Sequence, residues 1–83
     1  MSGAVHPQRA RGAALRRALM QVARLCLERR CLLPRHVDIA RLVGVDPSQI
    51  GQHWARLERE GRVTRSRHGT RHGVRFRVRS VMQ

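Results

Sequence analysis

Aromatic side chains are nearly missing from this 83-residue chain: Trp54 and Phe76 are the whole complement, and tyrosine is absent. Proteins that hold single-stranded nucleic acid by stacking need several such rings, so the composition weighs against base-stacking sheets and barrels. Carboxylates are scarce as well, five in all, with no pair placed for general acid–base work. Cys26 and Cys31 are too few to staple a fold, which points to a reducing cytosol. No run approaches the ~20 apolar residues of a bilayer-crossing helix, and the N-terminus lacks an apolar signal core. A chain of this length forms one small domain that buries only about 60 % of its unfolded surface. A deep catalytic cleft does not fit in it, and the expectation is a non-enzyme without cofactor.

Lysine is missing too. All 18 basic residues are arginine, and against five carboxylates they leave a net charge of +13. The codon bias of a GC-rich genome accounts for the absence of lysine but not for the excess of charge. That excess calls for a polyanionic partner, and the default polyanion is nucleic acid.

Along the chain, residues 1–11 show no hydrophobic period and read as a flexible basic arm carrying Arg9 and Arg11. From Gly12 the pattern turns helical, with Leu15, Leu19, Val22 and Cys26 in one stripe widened by Ala18 and Leu25. This first helix fades near Arg29 and Arg30, cations that suit a helix C-terminus. Cys31-Leu32-Leu33, stopped by Pro34, fits a brief edge strand or a linker. Val37, Ile39, Ala40, Leu42 and Val43 supply the inner face of a short second helix, and Gly44 stands where a left-handed cap belongs. Asp46-Pro47-Ser48-Gln49 reads as the next helix start, with Asp46 as cap, Pro47 in the first turn and Gln49 completing a capping box. Ile50, Trp54 and Leu57 form its buried stripe, and Gly61 ends it. Two helices joined by a glycine-led turn make a helix-turn-helix unit.

Beyond Gly61 the period changes to two. Val74, Phe76 and Val78 alternate with Arg75, Arg77 and Arg79, a strand with an apolar and a cationic face. Val63 opens its more polar partner strand. Residues 68–73, His-Gly-Thr-Arg-His-Gly, read as a long hairpin tip between the two. Residues 81–83 remain as a tail.

Ala40, Gly44 and Ile50, flanked by Ile39 and Val45, stand at the spacing of helix-turn-helix DNA-binding proteins. The segment from Leu57 to Arg65 resembles the helix-to-wing passage of bacterial winged helix-turn-helix repressors. The layout over residues 13–79 is similar to the DNA-binding domain of the SOS repressors, including Pro34 and the Gly73-Val74-Arg75-Phe76 return strand, and to MarR-type regulators. The resemblance implies an α+β fold, a small winged helix-turn-helix of three helices and a C-terminal β-hairpin wing over residues 12–80. It also implies a bacterial, nucleoid-associated protein in the cytoplasm. Arg35 replaces the Thr or Ser that usually opens the second helix, so that helix has a weak cap. No protease domain accompanies the unit, and self-cleavage is not implied.

In that frame residues 47–60 form the recognition helix, to lie in a major groove. Opposite its apolar stripe it offers Ser48, Gln49, Gln52, His53, Arg56 and Arg59. Glutamine reads adenine in bidentate fashion, serine takes base or phosphate, and arginine reaches guanine or phosphate. Gly51 permits close approach, and His53 stands equally well on phosphate or on the core edge. The wing, residues 62–79, adds Arg65, Arg67, Arg71 and Arg75 for the backbone or an adjacent minor groove, and Arg35 joins the candidate contacts. The expected function is sequence-specific binding of double-stranded DNA as a small transcriptional regulator, with a homodimer open. The alternatives are a nucleoid-associated or replication-origin protein, or an interaction module whose basic face docks an acidic protein partner. Cys26, Cys31, His68 and His72 have tolerable metal-ligand pair spacings, but 36 residues lie between the pairs, and a buried Cys26 is expected to act as a small hydrophobe.

Overall fold

Helix α1 (Pro7–Arg29) carries Leu15, Leu19, Met20, Ala23 and Cys26 on its buried side. The computed structural model to which it belongs describes residues 7–71 and 73–82, with side chains from residue 12 onward. Helices α2 (His36–Val43) and α3 (Pro47–Arg59) follow, then strands β1 (Val63–Thr70) and β2 (Gly73–Val81) as an antiparallel hairpin. The result is a small α+β domain of three helices and a C-terminal two-stranded hairpin. Among the described residues no helix is long and apolar enough to cross a membrane.

Helix α1 begins five residues before the expected start, so residues 7–11 of the supposed arm are helical and only residues 1–6 lie outside the described part. Its buried stripe is also rotated from the expected one. Met20 and Ala23 are buried, Val22 only partly, and Leu25 is exposed.

All three helices end in the same kind of turn, in which N–H groups of the following residues donate to carbonyls of the last helical turn. In α3 the Arg62 N–H donates to the Leu57 carbonyl at 2.9 Å and Gly61 to Glu58 at 3.0 Å, with Gly61 at φ +73°. In α2 Gly44, at φ +75°, donates to Ala40 at 2.8 Å. In α1 the Cys31 N–H donates to Cys26 at 3.0 Å, and the left-handed position is filled by Arg30 at φ +57°, the non-glycine residue with positive φ in the described chain. At the start of α3, Asp46 caps as expected, accepting the Ser48 N–H at 2.9 Å. Arg35, at the cap of α2, makes no side-chain cap bond.

The core gathers Trp54, Leu19, Leu33, Ile50, Leu57 and Val63, all fully buried, with Ile39, Ala40 and Val78 around them. On α2 only Ile39 and Ala40 face this core. Val37, Leu42 and Val43, expected inside, are exposed, Leu42 at 87 %. An eight-residue helix turns through little more than two turns, so five apolar positions are too many for one face.

The hairpin pairs Val63 with Val81 at its base and Thr70 with Gly73 at its end. The expected six-residue tip is therefore shorter, because β1 continues through His68, Gly69 and Thr70 and β2 already begins at Gly73. Pairing shifts register between Thr64 and Arg65, which lets Val78 and Val81 both turn inward past Arg79. Leu32 bridges to Arg77, and the Leu33 N–H donates to the Phe76 carbonyl at 2.8 Å, so the linker after α1 lies along the edge of β2. The expected tail is partly built in: Val81 is in β2 and the Met82 N–H donates to Arg62 at 2.8 Å.

Leu57→Ala removes a fully buried side chain and should lower stability by about 2–5 kcal/mol, whereas Leu42→Ala should stay within about 0.5 kcal/mol. Arg30→Gly relieves the left-handed strain and should raise stability by about 1 kcal/mol. Urea midpoints of the three variants check all of these.

Candidate nucleic-acid interface

The apolar stripe of α3, Ile50, Trp54 and Leu57, decides which of its polar residues point outward. At 3.6 residues per turn Ser48, Gln52, Ala55 and Arg59 lie directly opposite. Ser48, Gln52 and Arg59 are exposed, and Gln49 and Arg56 are exposed on one flank. Five of the residues expected on this surface are thus brought together on one helix. Ser48 is partly committed: its hydroxyl donates to Asp46 Oδ1 at 2.9 Å, which leaves its oxygen as an acceptor. That bond and the Ser48 N–H hold the Asp46 carboxyl below its usual range, the N–H contributing more. Arg56 donates through Nε to Glu60 Oε2 at 3.0 Å, an exposed pair one turn apart whose hydrogen bond holds Glu60 below its usual range.

His53 sits at the core edge rather than in the open. It is half-buried, and Arg16 of α1 donates to its Nδ1 at 3.3 Å. Burial first, then the charges of Arg16 and Arg56, push its pKa down. Gly51 likewise faces inward toward α2: a Cβ there would lie 3.4 Å from His36 Nδ1. Its lack of a side chain serves the α2–α3 contact and not an approach from outside.

On the hairpin, Arg67 and Arg71 are exposed, as expected of contact residues. Arg65 is not. Its side chain is only 7 % exposed and donates from Nη2 to Glu58 Oε1 of α3 at 2.8 Å. Its guanidinium carbon lies 4.1 Å from the centre of the Phe76 ring and 5.2 Å from that of Trp54. An arginine held by a carboxylate and two ring faces cannot also hold a phosphate, so Arg65 is a structural residue. Arg75 is half-buried and donates from Nε and Nη2 to the Leu33 carbonyl at 3.1 and 2.8 Å, fixing the linker to β2. Arg35 is exposed at the start of α2.

Two residues outside the expected set complete the junction. His36 stacks on Phe76, ring centres 6.0 Å apart and planes 2° from parallel. Burial, then the charge of Arg65, push its pKa below the ordinary 6.5. Glu58 supplies the carboxylate for Arg65. Period-two parity from the buried Val63 is the signal that could have placed Arg65 on the core side of its strand. Elsewhere, Cys26 is buried and Cys31 exposed at the end of α1. Burial and a hydrogen bond with Cys31 raise the Cys26 thiol to about 11. His68 lies on β1, His72 is outside the described residues, and among those described no three metal-ligating side chains gather.

Compared with protein-family models, curated proteins and solved structures, the chain matches none.

Because His36 and His53 are both held below 6.5, the unfolded chain binds more protons than the folded one as pH falls through that value. Their contribution to stability is full above about pH 6.5 and is lost on acidification. His36→Phe, which keeps a ring on Phe76, should flatten part of that decline in urea midpoints taken down to about pH 5. At neutral pH Arg65→Ala should cost about 2 kcal/mol through the lost charge-assisted bond and ring contacts. Arg67→Ala, exposed two positions along, should cost less than about 0.5 kcal/mol.

Proposed function

We propose that this chain is a sequence-specific double-stranded DNA-binding protein of the winged helix-turn-helix type, acting as a small transcriptional regulator. The observation that carries the proposal is the outward face of α3, where Ser48, Gln52 and Arg59, flanked by Gln49 and Arg56, stand on a helix whose other side is wholly apolar and buried. Thirteen residues make a helix about 20 Å long, and a major groove about 12 Å wide admits one. Gln49 and Gln52 carry the amide groups that pair with adenine, and Arg56 and Arg59 carry forks that fit guanine or phosphate. In this reading α3 is the recognition helix and the hairpin is the wing. Its exposed Arg67 and Arg71 follow the backbone or enter an adjacent minor groove.

The charge balance supports the same partner. The described ion pairs join arginines to Glu58 and Glu60 alone, and the net charge is +13. Exposed like charges in such excess repel one another, and a duplex supplies phosphates at regular spacing to offset them. Arg65 and Arg75 take no part, since their guanidinium groups are spent on Glu58 and on the Leu33 carbonyl.

Gel shifts on duplex DNA across a salt series test the proposal. With roughly six phosphate contacts, log K should fall with log salt at a slope near about −5. Gln52→Ala should narrow the gap between a selected site and random duplex, and Arg71→Ala should weaken both alike. No retardation of any duplex at low salt overturns the proposal. Equal losses on both duplexes for both variants overturn the base-reading role of α3.

A further inference from the structure

Between α1 and the turn after α3 the surface holds an open depression of about 420 Å³. Arg16, Arg17, Arg24 and Gln21 line it from α1, Arg62 closes it from the turn after α3, and Met20 lies in its lining with them. Arg16 and Arg17 share one turn of α1, Arg24 lies about two turns further along the same face, and Arg62 comes from the capping turn of α3. Both backbones are fixed by the core, through buried Met20 and Leu19 on α1 and through the Arg62 N–H bond to Leu57.

Four guanidinium groups around one depression repel one another unless something negative stands between them. The carboxylate that reaches the group is Glu60, and it does so weakly: its Oε1 is 3.9 Å from Arg62, while its Oε2 is taken by Arg56. Arg16 is held in place by His53 on α3, an uncharged partner when the imidazole is neutral. One carboxylate shared among Arg56, Arg62 and Arg16 leaves most of the cluster's charge uncompensated. A tetrahedral phosphate offers several oxygens at once, and each arginine fork can take two. The arginine stems add apolar surface beside that charge, which suits a group larger than a bare ion.

We propose that this depression is a second, separate phosphate-binding site, formed by Arg16, Arg17, Arg24 and Arg62. The phosphate belongs either to a free phosphorylated small molecule or to the backbone of a duplex flanking α3. The second source rests on the DNA-binding function proposed above, and the first does not.

The test uses the full chain and inorganic pyrophosphate as probe, at constant ionic strength. Arginine side-chain and backbone NMR signals are followed for the unaltered protein and for the double variant Arg17→Gln, Arg24→Gln. Both residues are exposed, so circular dichroism should show the variant folded. The expected result is a saturable shift confined to Ala13, Gln21 and the four arginines, with at least about a tenfold loss of affinity in the variant. A shift spread over all arginines without saturation, or affinity unchanged by the double substitution, overturns the site. Duplex binding then separates the two sources. If the variant also loses about tenfold in duplex affinity and its salt slope shrinks by about 2, the phosphate is the backbone's. If pyrophosphate binding is lost while duplex affinity stands, the ligand is a free phosphorylated molecule. Pyrophosphate binding in a protein that retards no duplex keeps the site and removes only the DNA-binding proposal.

Discussion

The Arg65 guanidinium is the contact on which the surface geometry depends. It stands on β1, pairs with Glu58 of α3, and lies over rings from α3 and from β2. His36 at the start of α2 joins through its stack on Phe76. One buried cation thus ties the hairpin to both of the short helices, and it sets the direction in which the hairpin leaves the core. A hydrophobic residue there would fill the volume, but it would not fix Glu58 and with it the roll of α3. The exposed residues of α3 and the exposed arginines of the hairpin keep their relative places because of this junction.

The division of labour among the arginines follows. Arg65, Arg75 and Arg77 are absorbed by the fold, through Glu58, the Leu33 carbonyl and the Arg30 carbonyl at 3.4 Å. Arg56 and Arg62 share Glu60 on the surface, where pairing contributes little and leaves them available. Arg59, Arg67 and Arg71 remain exposed on the surface proposed to meet DNA, and Arg17 and Arg24 are exposed on α1. A total of +13 is therefore not one cationic surface. It divides into structural arginines, an outward face and a separate cluster.

The helices were largely readable in the residues because their signals are local. Asp46 before Pro47, Gly44 and Gly61 after their helices, and the Ile50–Trp54–Leu57 spacing each specify backbone geometry within a few positions. What depended on distant contacts was less legible. Leu42 looks like core in any short window, and only the packing of α2 through Ile39 and Ala40 leaves it outside. Residues 68–70 look like turn material, yet antiparallel pairing with 73–75 draws them into the strand. Gly51 and His53 have surface-like neighbours, and their inward roles come from His36 and Arg16 on other helices. Arg65 reads as a wing contact and lies inward instead, because its carboxylate and its rings come from two other elements, α3 and β2. The exposed candidates Ser48, Gln49, Gln52, Arg56 and Arg59 share one surface because helical periodicity alone determines it.

Base reading by the outward face of α3 is the central claim, and selection of bound duplexes from a random pool tests it most directly. The expected result is enrichment of a shared motif that the unaltered protein selects and Gln52→Ala broadens. A bound pool indistinguishable from the input, at salt low enough to retain binding, would contradict it.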